Sequence, residues 1–489
     1  MPKLIQAELK KVLKHKSIYI IILFMSIFCA INNILYKLDY DKDGRYKYEE
    51  HPNIKTTIKE YEQQLTKYNL NNEEDKTIYI DIKTKLELTK QKNSFTPNCW
   101  QYVKIESYLS EDLYKVYYYK YIIMDNQKFL SANKNYQEKL TKLKNNDWQY
   151  FLKEENKKLI INKKEIETSL VNIKDKKEIL NLQNSHQKIT DEIKENNYRI
   201  QNNISYNNTY LNRALTEYQS LNNQLKNYNL QTSNHSKKIK HQEMLEEKKI
   251  DEYILKNRVN LNKENNLNYQ LRTIVEDYEL FIIIIILMTS SILIGEELSK
   301  GTIKLLLIKP YNRNQILISK VITGLIITIL AIVFLILTEL LIGGILFGFT
   351  SLNMKVALYN FNTNKIISLN VFIYMLIRII AKFPMFIILQ LLCFTFSLIL
   401  SNPTIVPFSI TILIYTFSEI INKIILTSKI KAFQYLITAN WNFKDYLFGG
   451  ISKYEYLNFK KSVVIFIIYV IMLLVIMCRS FSKKDIKNI

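Results

Sequence analysis

The most informative ionisable residues of the chain lie in one short polar segment between two apolar runs. Glu296 and Glu297 directly follow an apolar run that ends at Gly295. The basic residues that come next are Lys300, Lys304, Lys309, Arg313 and Lys320. Uncompensated charges are costly at lipid depth, so this segment is predicted to be a loop. Its lysine and arginine content favours the cytoplasmic side of a membrane.

A short helix is predicted inside this loop. Gly301 allows the preceding helix to end abruptly, because glycine adopts the left-handed conformation at low cost. Thr302 can cap the next helix through its hydroxyl, and Pro310 cannot continue it. An apolar surface with flanking charge lies between them, formed by Lys304, Leu305, Leu306, Leu307 and Lys309. Such a helix can dock on a partner protein; the alternative is an interfacial helix whose leucines contact only lipid.

Four more ionisable residues lie within or beside apolar runs: Glu339, Arg378, Lys382 and Glu419. Charged residues inside membrane segments commonly mark function. One interpretation pairs Glu339 with either Arg378 or Lys382 across a helix bundle. In the other, each residue lies near the end of a span and extends its charge to water. Three glycines nearby predict a shallow apolar turn or re-entrant hairpin: Gly343, Gly344 and Gly348.

The sequence shows no motif of a nucleotide-binding or hydrolytic enzyme. Only 9 glycines occur in 489 residues, and none forms a GxxxxGK[ST] phosphate loop or a dinucleotide fingerprint. No Ser-His-Asp or Cys-His arrangement is evident, and the 5 histidines are scattered without metal-ligand spacing. The chain is therefore predicted not to be an enzyme and to hold no cofactor or metal. If it drives work, the energy source is on another chain.

Six apolar runs must position these residues, and each is long enough to cross roughly 30 Å of hydrocarbon. They lie near Ser17–Tyr36, Tyr278–Gly295, Ile316–Leu341, Phe383–Leu400, Thr404–Ile421 and Ser462–Cys478. The predicted fold is an all-α membrane protein with six transmembrane helices. Its predicted parts are a cytoplasmic amphipathic helix at 1–16, a span at 17–36, an extracytoplasmic domain at 37–277, a five-helix region at 278–478 containing the loop 296–315, and a cytoplasmic tail at 479–489.

Short basic segments at both ends and in the central loop predict that both termini are cytoplasmic. Residues 423–461 should then lie outside, although they carry seven lysines. The first span follows a lysine-rich stretch and lacks a small-residue cleavage site, so an uncleaved anchor is expected rather than a signal peptide. The net charge of +22 falls on helices where Lys and Glu alternate, so no nucleic-acid partner is expected.

The long insertion is predicted to be helical. Residues 45–294 contain no glycine, and no proline occurs between Pro97 and Pro310, so the strongest breakers of secondary structure are absent. Apolar residues recur at heptad-like spacing, which predicts an antiparallel, coiled-coil-like hairpin. Its ascending helix should begin at Trp148 after a cap at 145–147 and extend for about 80 residues, or roughly 120 Å. A return turn is expected at Asn227–Ser236, and an extended piece at Thr77–Ile82.

The central loop resembles that of permease subunits of type-2-class ABC exporters. The family pattern is a Glu before Gly-Thr, a short apolar and basic helix, a Pro, then an Arg and a Lys that open the next span. The corresponding residues here are Glu297, Gly301, Thr302, residues 303–307, Pro310, Arg313 and Lys320. The N-terminal segment 4–20 is similar to the amphipathic helix that leads into the first span of these permeases. The segment Phe481–Ile486 is similar to their cytoplasmic end.

The resemblance implies the membrane subunit of an ATP-driven exporter in a bacterial plasma membrane. The loop would couple to a separate ATPase chain, which would bind ATP and Mg²⁺, through Glu296, Glu297, Gly301, Thr302, Lys304, Leu306, Leu307, Pro310 and Arg313. A second permease subunit, identical or related, and membrane lipid are implied as partners. The insertion could meet an extracellular ligand or envelope protein. The alternative is a mechanotransmitter, in which ATP hydrolysis moves the insertion to regulate an envelope partner or sense a ligand and nothing is transported.

Overall fold

The chain forms two compact units in a computed structural model. The model describes residues 1–39, 54–68, 70, 72–96, 99–172, 175–206, 209–226, 228, 235–261, 266–303, 311–400, 403–427 and 430–483. Met1–Lys47 and Glu217–Ile489 make one unit, here called the membrane unit, and Tyr48–Thr216 make the other, here called the insertion domain. The insertion expected at 37–277 is thus divided, because its last part packs with the membrane unit.

Six helices in the described part of the chain are long and apolar enough to cross a membrane, as the sequence predicted. The candidate spans are Lys16–Leu38, Glu279–Ser299, Arg313–Phe347, Val371–Ile399, Ile405–Leu426 and Phe459–Ser482. They are numbered span 1 to span 6 below. Their core is built mainly from isoleucine, leucine and phenylalanine. The protein is therefore a predominantly helical, multi-pass membrane protein.

The helices are numbered in chain order. Those of the insertion domain are α3 (Ile54–Leu65), α4 (Glu73–Lys92), α5 (Trp100–Tyr118), α6 (Asn126–Lys144), α7 (Trp148–Asn172) and α8 (Lys176–Asn202), and α9 (Tyr210–Lys226) runs across the boundary between the units. Those of the membrane unit are α1 (Pro2–Leu13), α2 (Lys16–Asp39), α10 (His235–Asn257), α11 (Leu267–Asp277), α12 (Glu279–Ser290), α13 (Glu296–Ser299), α14 (Arg313–Phe347), α15 (Val371–Ile399), α16 (Ile405–Thr427), α17 (Ile437–Asn440) and α18 (Phe459–Lys483).

The insertion domain has its own aromatic core. Trp100 is 2% exposed, and its ring packs 5.9 Å from that of Phe151, which stacks on Tyr108 at 4.8 Å. Leu109 and Leu143 are fully buried in the same cluster. These side chains join α5, α6 and α7, so the domain is held by packing of its own helices.

Helices α7 and α8 form an antiparallel pair. Hydrogen bonds join Gln149 to Asn203, Asn156 to Asn197 and His186 to Glu167. Their residue numbers rise on one helix as they fall on the other, so the chain reverses between Asn172 and Lys176. The predicted ascending helix of about 80 residues is therefore interrupted: α7 is 25 residues long and is followed by the separate helices α8 and α9. The return turn predicted at 227–236 stays a prediction. Most of 227–236 lies outside the described residues.

Two other local predictions for the insertion can be compared with the structure. The cap before Trp148 is confirmed, because Asp147 Oδ1 accepts a hydrogen bond from the Tyr150 amide. The extended piece at Thr77–Ile82 is wrong, since these residues lie within α4. Helix α4 packs against both α3 and α5. Buried residues therefore lie on two of its faces: Ile80, Ile82, Thr84, Leu86 and Leu88. Because every second residue is buried, the sequence has the alternating pattern that is typical of a strand.

The segment between spans 3 and 4 also differs from prediction. Gly343 and Gly344 lie inside α14, which continues to Phe347, so no re-entrant turn forms there. Gly348 follows with φ +77°, a conformation that favours glycine. A hairpin of strands β1 (Lys355–Asn360) and β2 (Lys365–Asn370) comes next, with Lys355 opposite Asn370 and Asn360 opposite Lys365. This hairpin departs from the all-α prediction and packs against α10.

Span 2 contains a π-helical turn at Ser291–Gly295, between α12 and α13. Gly295 ends this turn against the backbone of Pro403, so close that a Cβ would clash with the Pro403 carbonyl. A side chain at position 295 would therefore push the turn before α16 away from span 2. The close approach fixes where span 2 emerges before Glu296 and Glu297.

The predicted orientation can be tested by cysteine labelling in whole cells. Single cysteines at Lys300 and at Thr363, both exposed, would be placed in a chain whose four cysteines are replaced by alanine. We expect an impermeant maleimide to label Thr363→Cys in intact cells and Lys300→Cys only after lysis. Labelling of Lys300→Cys in intact cells would contradict cytoplasmic termini.

The aromatic core of the insertion domain makes a second prediction. In residues 48–216 expressed alone, Trp100→Ala should lower the free energy of unfolding by about 3–5 kcal/mol, as for other buried large-to-small changes. Val103→Ala, on the same helix but 62% exposed, is the matched control and should change it little. Urea unfolding followed by circular dichroism measures both, and equal effects would contradict the assigned core.

Candidate functional site

The start of the predicted loop is anchored inside the protein. Glu297, in α13, is buried, with 6% of its side chain exposed. Its Oε1 lies 2.5 Å from Lys11 Nζ and its Oε2 lies 2.7 Å from Lys320 Nζ. These lysines come from α1 and from the start of span 3. Glu297 therefore connects three helices and faces the interior, rather than offering its charge to a partner protein.

Lys320 is bound by a second carboxylate. Its Nζ lies 2.7 Å from Glu8 Oε1, and the two side chains are 1% and 4% exposed. Lys11 also donates a hydrogen bond of 3.1 Å to the carbonyl of Ile292 in the π-helical turn. Two carboxylates and two ammonium groups thus form one network, made of Glu8, Lys11, Glu297 and Lys320, and here called the four-charge network. Its formal charges cancel, as buried ions require.

Glu296 lies at the edge of this network and is more exposed. Its Oε2 is 2.9 Å from Lys300 Nζ and 3.6 Å from His15 Nε2. The first pair is within α13 and its loop, and the second reaches the junction of α1 and α2. Because both contacts are partly solvated, they add less to stability than the buried pairs do.

The structure describes the loop up to Ile303 and again from Tyr311. Gly301 has φ +68°, which confirms the predicted left-handed end of the preceding helix. Thr302 is exposed and Ile303 is buried. The remaining predicted site residues lie outside the described residues: Lys304, Leu306, Leu307 and Pro310. The short docking helix therefore stays a prediction.

Arg313 anchors the other end of the loop. Its guanidinium donates hydrogen bonds to the carbonyls of Phe481 and Ser482, at 3.3 and 2.8 Å. These carbonyls belong to the last turn of α18, where a cation is favourable because the helix dipole is negative. The loop is thus tied at one end to α1 and span 3, and at the other end to span 6.

Two of the intramembrane cations pair with carboxylates other than Glu339. Arg378 pairs with Glu276, and Lys382 pairs with Glu279, which also accepts a 3.2 Å hydrogen bond from Tyr415. Of the two interpretations, the pair between Glu339 and Arg378 or Lys382 is not formed, because carboxylates from α11 and α12 bind both cations. These pairs, which join α11 and span 2 to span 4, are called the second ionic network here.

Three further charged residues lie in the membrane unit: Lys444, Glu419 and Glu339. Lys444 Nζ lies 3.5 Å from Glu276 Oε1, and burial lowers the pKa of this lysine. Glu419 is exposed on α16. Glu339 is 1% exposed and takes part in neither network; its Oε2 accepts hydrogen bonds from Asn33 at 2.9 Å and Cys29 at 3.1 Å.

Sequence reasoning found Glu297, Arg313 and Lys320 but missed most of their partners. Glu8 could have been found, because Leu4, Glu8 and Val12 recur every four residues and are all buried on α1. That spacing places a carboxylate on an apolar helix face, where it needs a buried cation. Glu276, Cys29 and Asn33 gave no comparable signal. Within the described ranges, no group of three His, Cys, Asp or Glu side chains could hold a metal ion.

These features define a multi-pass helical membrane protein with an anchored polar loop. Residues 248–487 match a family described as "Protein of unknown function (DUF2705)". The chain is also similar to the uncharacterized protein YhcI of Bacillus subtilis (strain 168), with 27% identity over 238 residues, covering 47% of this chain and 74% of that protein. No solved structure matches this chain. The insertion domain lies outside the residues matched by the family.

The four-charge network predicts a large effect of a single substitution. Lys320→Met would leave Glu8 buried without its cation, so we expect a loss of about 3–5 kcal/mol in stability. Lys300→Met removes only the exposed contact with Glu296 and should cost less than about 1 kcal/mol. Denaturation of the full-length protein in detergent measures both.

A double variant controls for lost packing. Glu8→Leu combined with Lys320→Met removes the stranded carboxylate and should recover part of the stability. The assignment of a buried ionic network would be contradicted if Lys320→Met and Lys300→Met were equally stable, or if the double variant were the least stable of the three.

Proposed function

We propose that this chain is the membrane subunit of an ATP-driven ABC exporter and that its loop at 296–315 couples to a separate ATPase chain. The observation that carries the proposal is the burial of Glu297 between Lys11 and Lys320. A loop that is joined to other helices by ion pairs at one end and by hydrogen bonds at the other can transmit a displacement. The resemblance to type-2-class permeases and the six candidate spans support the same function.

The four-charge network suggests that different residues of the loop contact the ATPase and hold the loop in place. Residues 304–310 would supply the surface that contacts the ATPase. Glu297 would act as a positioning residue, because its carboxylate is directed at Lys11 and Lys320 and is nearly inaccessible. Movement of the loop would then shift α1, the end of span 2 and the start of span 3 together.

Arg313 extends this mechanical connection. Its hydrogen bonds to the end of α18 would carry the same displacement to span 6. At the other end of the bundle, Glu276–Arg378 holds α11 to span 4, and Glu279–Lys382 holds span 2 to span 4. An export path between these spans would require the second ionic network to separate or exchange partners during the cycle.

The proposed assembly contains two permease subunits, identical or related, and two ATPase chains that bind ATP and Mg²⁺. Both termini and the coupling loop would face the cytoplasm of a bacterial cell, and the insertion domain would lie outside. The apolar spans suit a hydrophobic or amphipathic cargo. The insertion domain, with its own core, also fits the mechanotransmitter alternative, in which it acts on an envelope partner or ligand.

The proposed docking surface can be tested by substitution. Leu306→Asp combined with Leu307→Asp would place carboxylates in an apolar docking groove, where unpaired charge is costly. We expect the tagged wild-type chain, purified from its own cells, to bring down an ATP-hydrolysing chain, and the double variant to lose most of that activity while remaining in the membrane.

A matched control introduces the same two charges elsewhere. Leu436→Asp combined with Ile451→Asp alters two exposed residues outside the six spans and should leave the associated ATPase activity intact. Retention of full activity by the Leu306/Leu307 variant would contradict docking and leave an interfacial helix as the better explanation. If the ATPase stays bound but no cargo moves in the wild type, the mechanotransmitter is favoured over the exporter.

A further inference from the structure

Glu339 is a buried carboxyl group without a cation. It lies in span 3, flanked along the same helix by the exposed apolar residues Leu337, Leu341 and Ile345, which place it at lipid depth. Among the described residues, no lysine, arginine or histidine forms an ion pair with it. The basic residues of span 4, Arg378 and Lys382, are bound to Glu276 and Glu279. An ionised Glu339 would therefore be an uncompensated charge in an apolar environment.

The two oxygens of this carboxyl have different surroundings. Oε2 accepts hydrogen bonds from the Asn33 amide and the Cys29 thiol, both on span 1. Oε1 is buried and has no hydrogen-bond partner. Asn33 Oδ1, another acceptor, is also buried and without a donor. Two neighbouring acceptors that both lack a donor are an arrangement that one hydrogen would satisfy.

Gly343 shows that the two unsatisfied oxygens border the same gap. A Cβ at this position would lie 2.7 Å from Glu339 Oε1, 3.5 Å from Asn33 Oδ1 and 2.8 Å from Leu267 Cδ1. The gap is smaller than a methyl group requires, so it does not suit a metal ion with its ligands. It suits a hydrogen on one oxygen that is directed at the other.

We propose that Glu339 is an intramembrane proton-binding site, with the proton on Oε1 and Asn33 Oδ1 as its acceptor. In this state Glu339, Asn33 and Cys29 make a neutral hydrogen-bonded contact between spans 1 and 3. Loss of the proton leaves a carboxylate there, so proton binding and the contact between these spans are linked. The site is independent of whether an ATPase docks on the loop.

The charged and titratable groups around Glu339 agree with a neutral carboxyl. On span 1 the facing group is Cys29, whose thiol donates a hydrogen bond. At the junction of α11 and α12 it is Tyr278, whose hydroxyl contacts Asn32. Asp277, at the end of α11, interacts with Glu339 electrostatically, and its sign opposes a second negative charge. Burial raises the pKa of Asp277 itself.

A hydrophobic carbodiimide tests the protonation state, because it reacts with protonated carboxyl groups in apolar surroundings. The full-length protein in membranes would be treated near neutral pH and the modified residue located by peptide mass spectrometry. We expect modification at Glu339 and little at Glu279, which is more exposed than Glu339 but ion-paired with Lys382. Above the pH at which Glu339 ionises, modification should fall roughly tenfold per pH unit. Equal modification of Glu279 and Glu339 would overturn the proposal.

Infrared spectroscopy keeps the proposal testable if the reagent cannot reach the site. Subtracting the spectrum of Glu339→Gln from that of the wild type should leave the carbonyl band of a protonated carboxyl group. Carboxylate bands in that difference spectrum at neutral pH would show an ionised Glu339, and the proposal would be wrong.

Paired substitutions separate a neutral carboxyl from a charged one. Glu339→Gln keeps a neutral side chain that can donate to Asn33, so its melting temperature should match the wild type. Glu279→Gln, the matched control, leaves Lys382 without its carboxylate and should melt at a lower temperature. Gly343→Ala should also melt lower, because its methyl group displaces Oε1. A Glu339→Gln variant destabilised as much as Glu279→Gln would show that the charge is needed and would overturn the proposal.

Discussion

A lysine ammonium held between two carboxylates determines how the helices around the central loop are arranged. Lys320 is almost completely buried, and an ion at that depth is tolerated only when its charge is compensated at short range. Glu8 and Glu297 provide that compensation from two different helices. The N-terminal helix therefore cannot drift along the membrane surface as an independent amphipathic segment, since withdrawing Glu8 would leave Lys320 with one counter-charge. The end of span 2, the N-terminal helix and span 3 are therefore joined through these charges.

Ionic contacts fasten the bundle near both ends, and apolar packing holds it between them. The four-charge network lies where spans 2 and 3 meet the loop, and the second ionic network joins α11 and span 2 to span 4 at the other end. Elsewhere in the bundle a neutral contact joins two spans: Gly324 leaves room for the side chain of Gln390, which donates a hydrogen bond to the Val321 carbonyl. Small residues at such contacts let helices pack without a hydrophobic driving force between them. Glu339 is the exception, and its neutral hydrogen bonds explain how a carboxyl fits there.

Residue patterns along the chain predicted the structural features that depend on nearby residues alone. The apolar runs gave six spans because length and hydropathy determine membrane crossing, and Gly301 gave the end of a helix because its backbone conformation demands glycine. Lateral neighbours were not predictable in the same way. Pairing of Glu339 with a cation was one of two interpretations, because opposite charges attract, but which helices are adjacent decides the partner, and span 1 offers Asn33 and Cys29. The extended piece predicted at Thr77–Ile82 was wrong for a related reason. The alternating pattern arises because α4 packs against helices on two sides.

The π-helical turn in span 2 rotates the side chains that follow it about the helix axis. A π turn accommodates one more residue than an α turn, and one residue in an α-helix corresponds to a rotation of about 100°. Without the extra residue of Ser291–Gly295, the helix would be regular, but Glu297 would point about 100° away from Lys11 and Lys320. The turn is therefore equivalent to a one-residue insertion in an α-helix. Before the turn, the helix directs isoleucines at the core of the bundle. After it, the helix directs the Glu297 carboxylate at two lysines. Apart from Gly295, the length of this turn is then less open to change than its residue types: a one-residue deletion there would turn Glu297 away from both lysines.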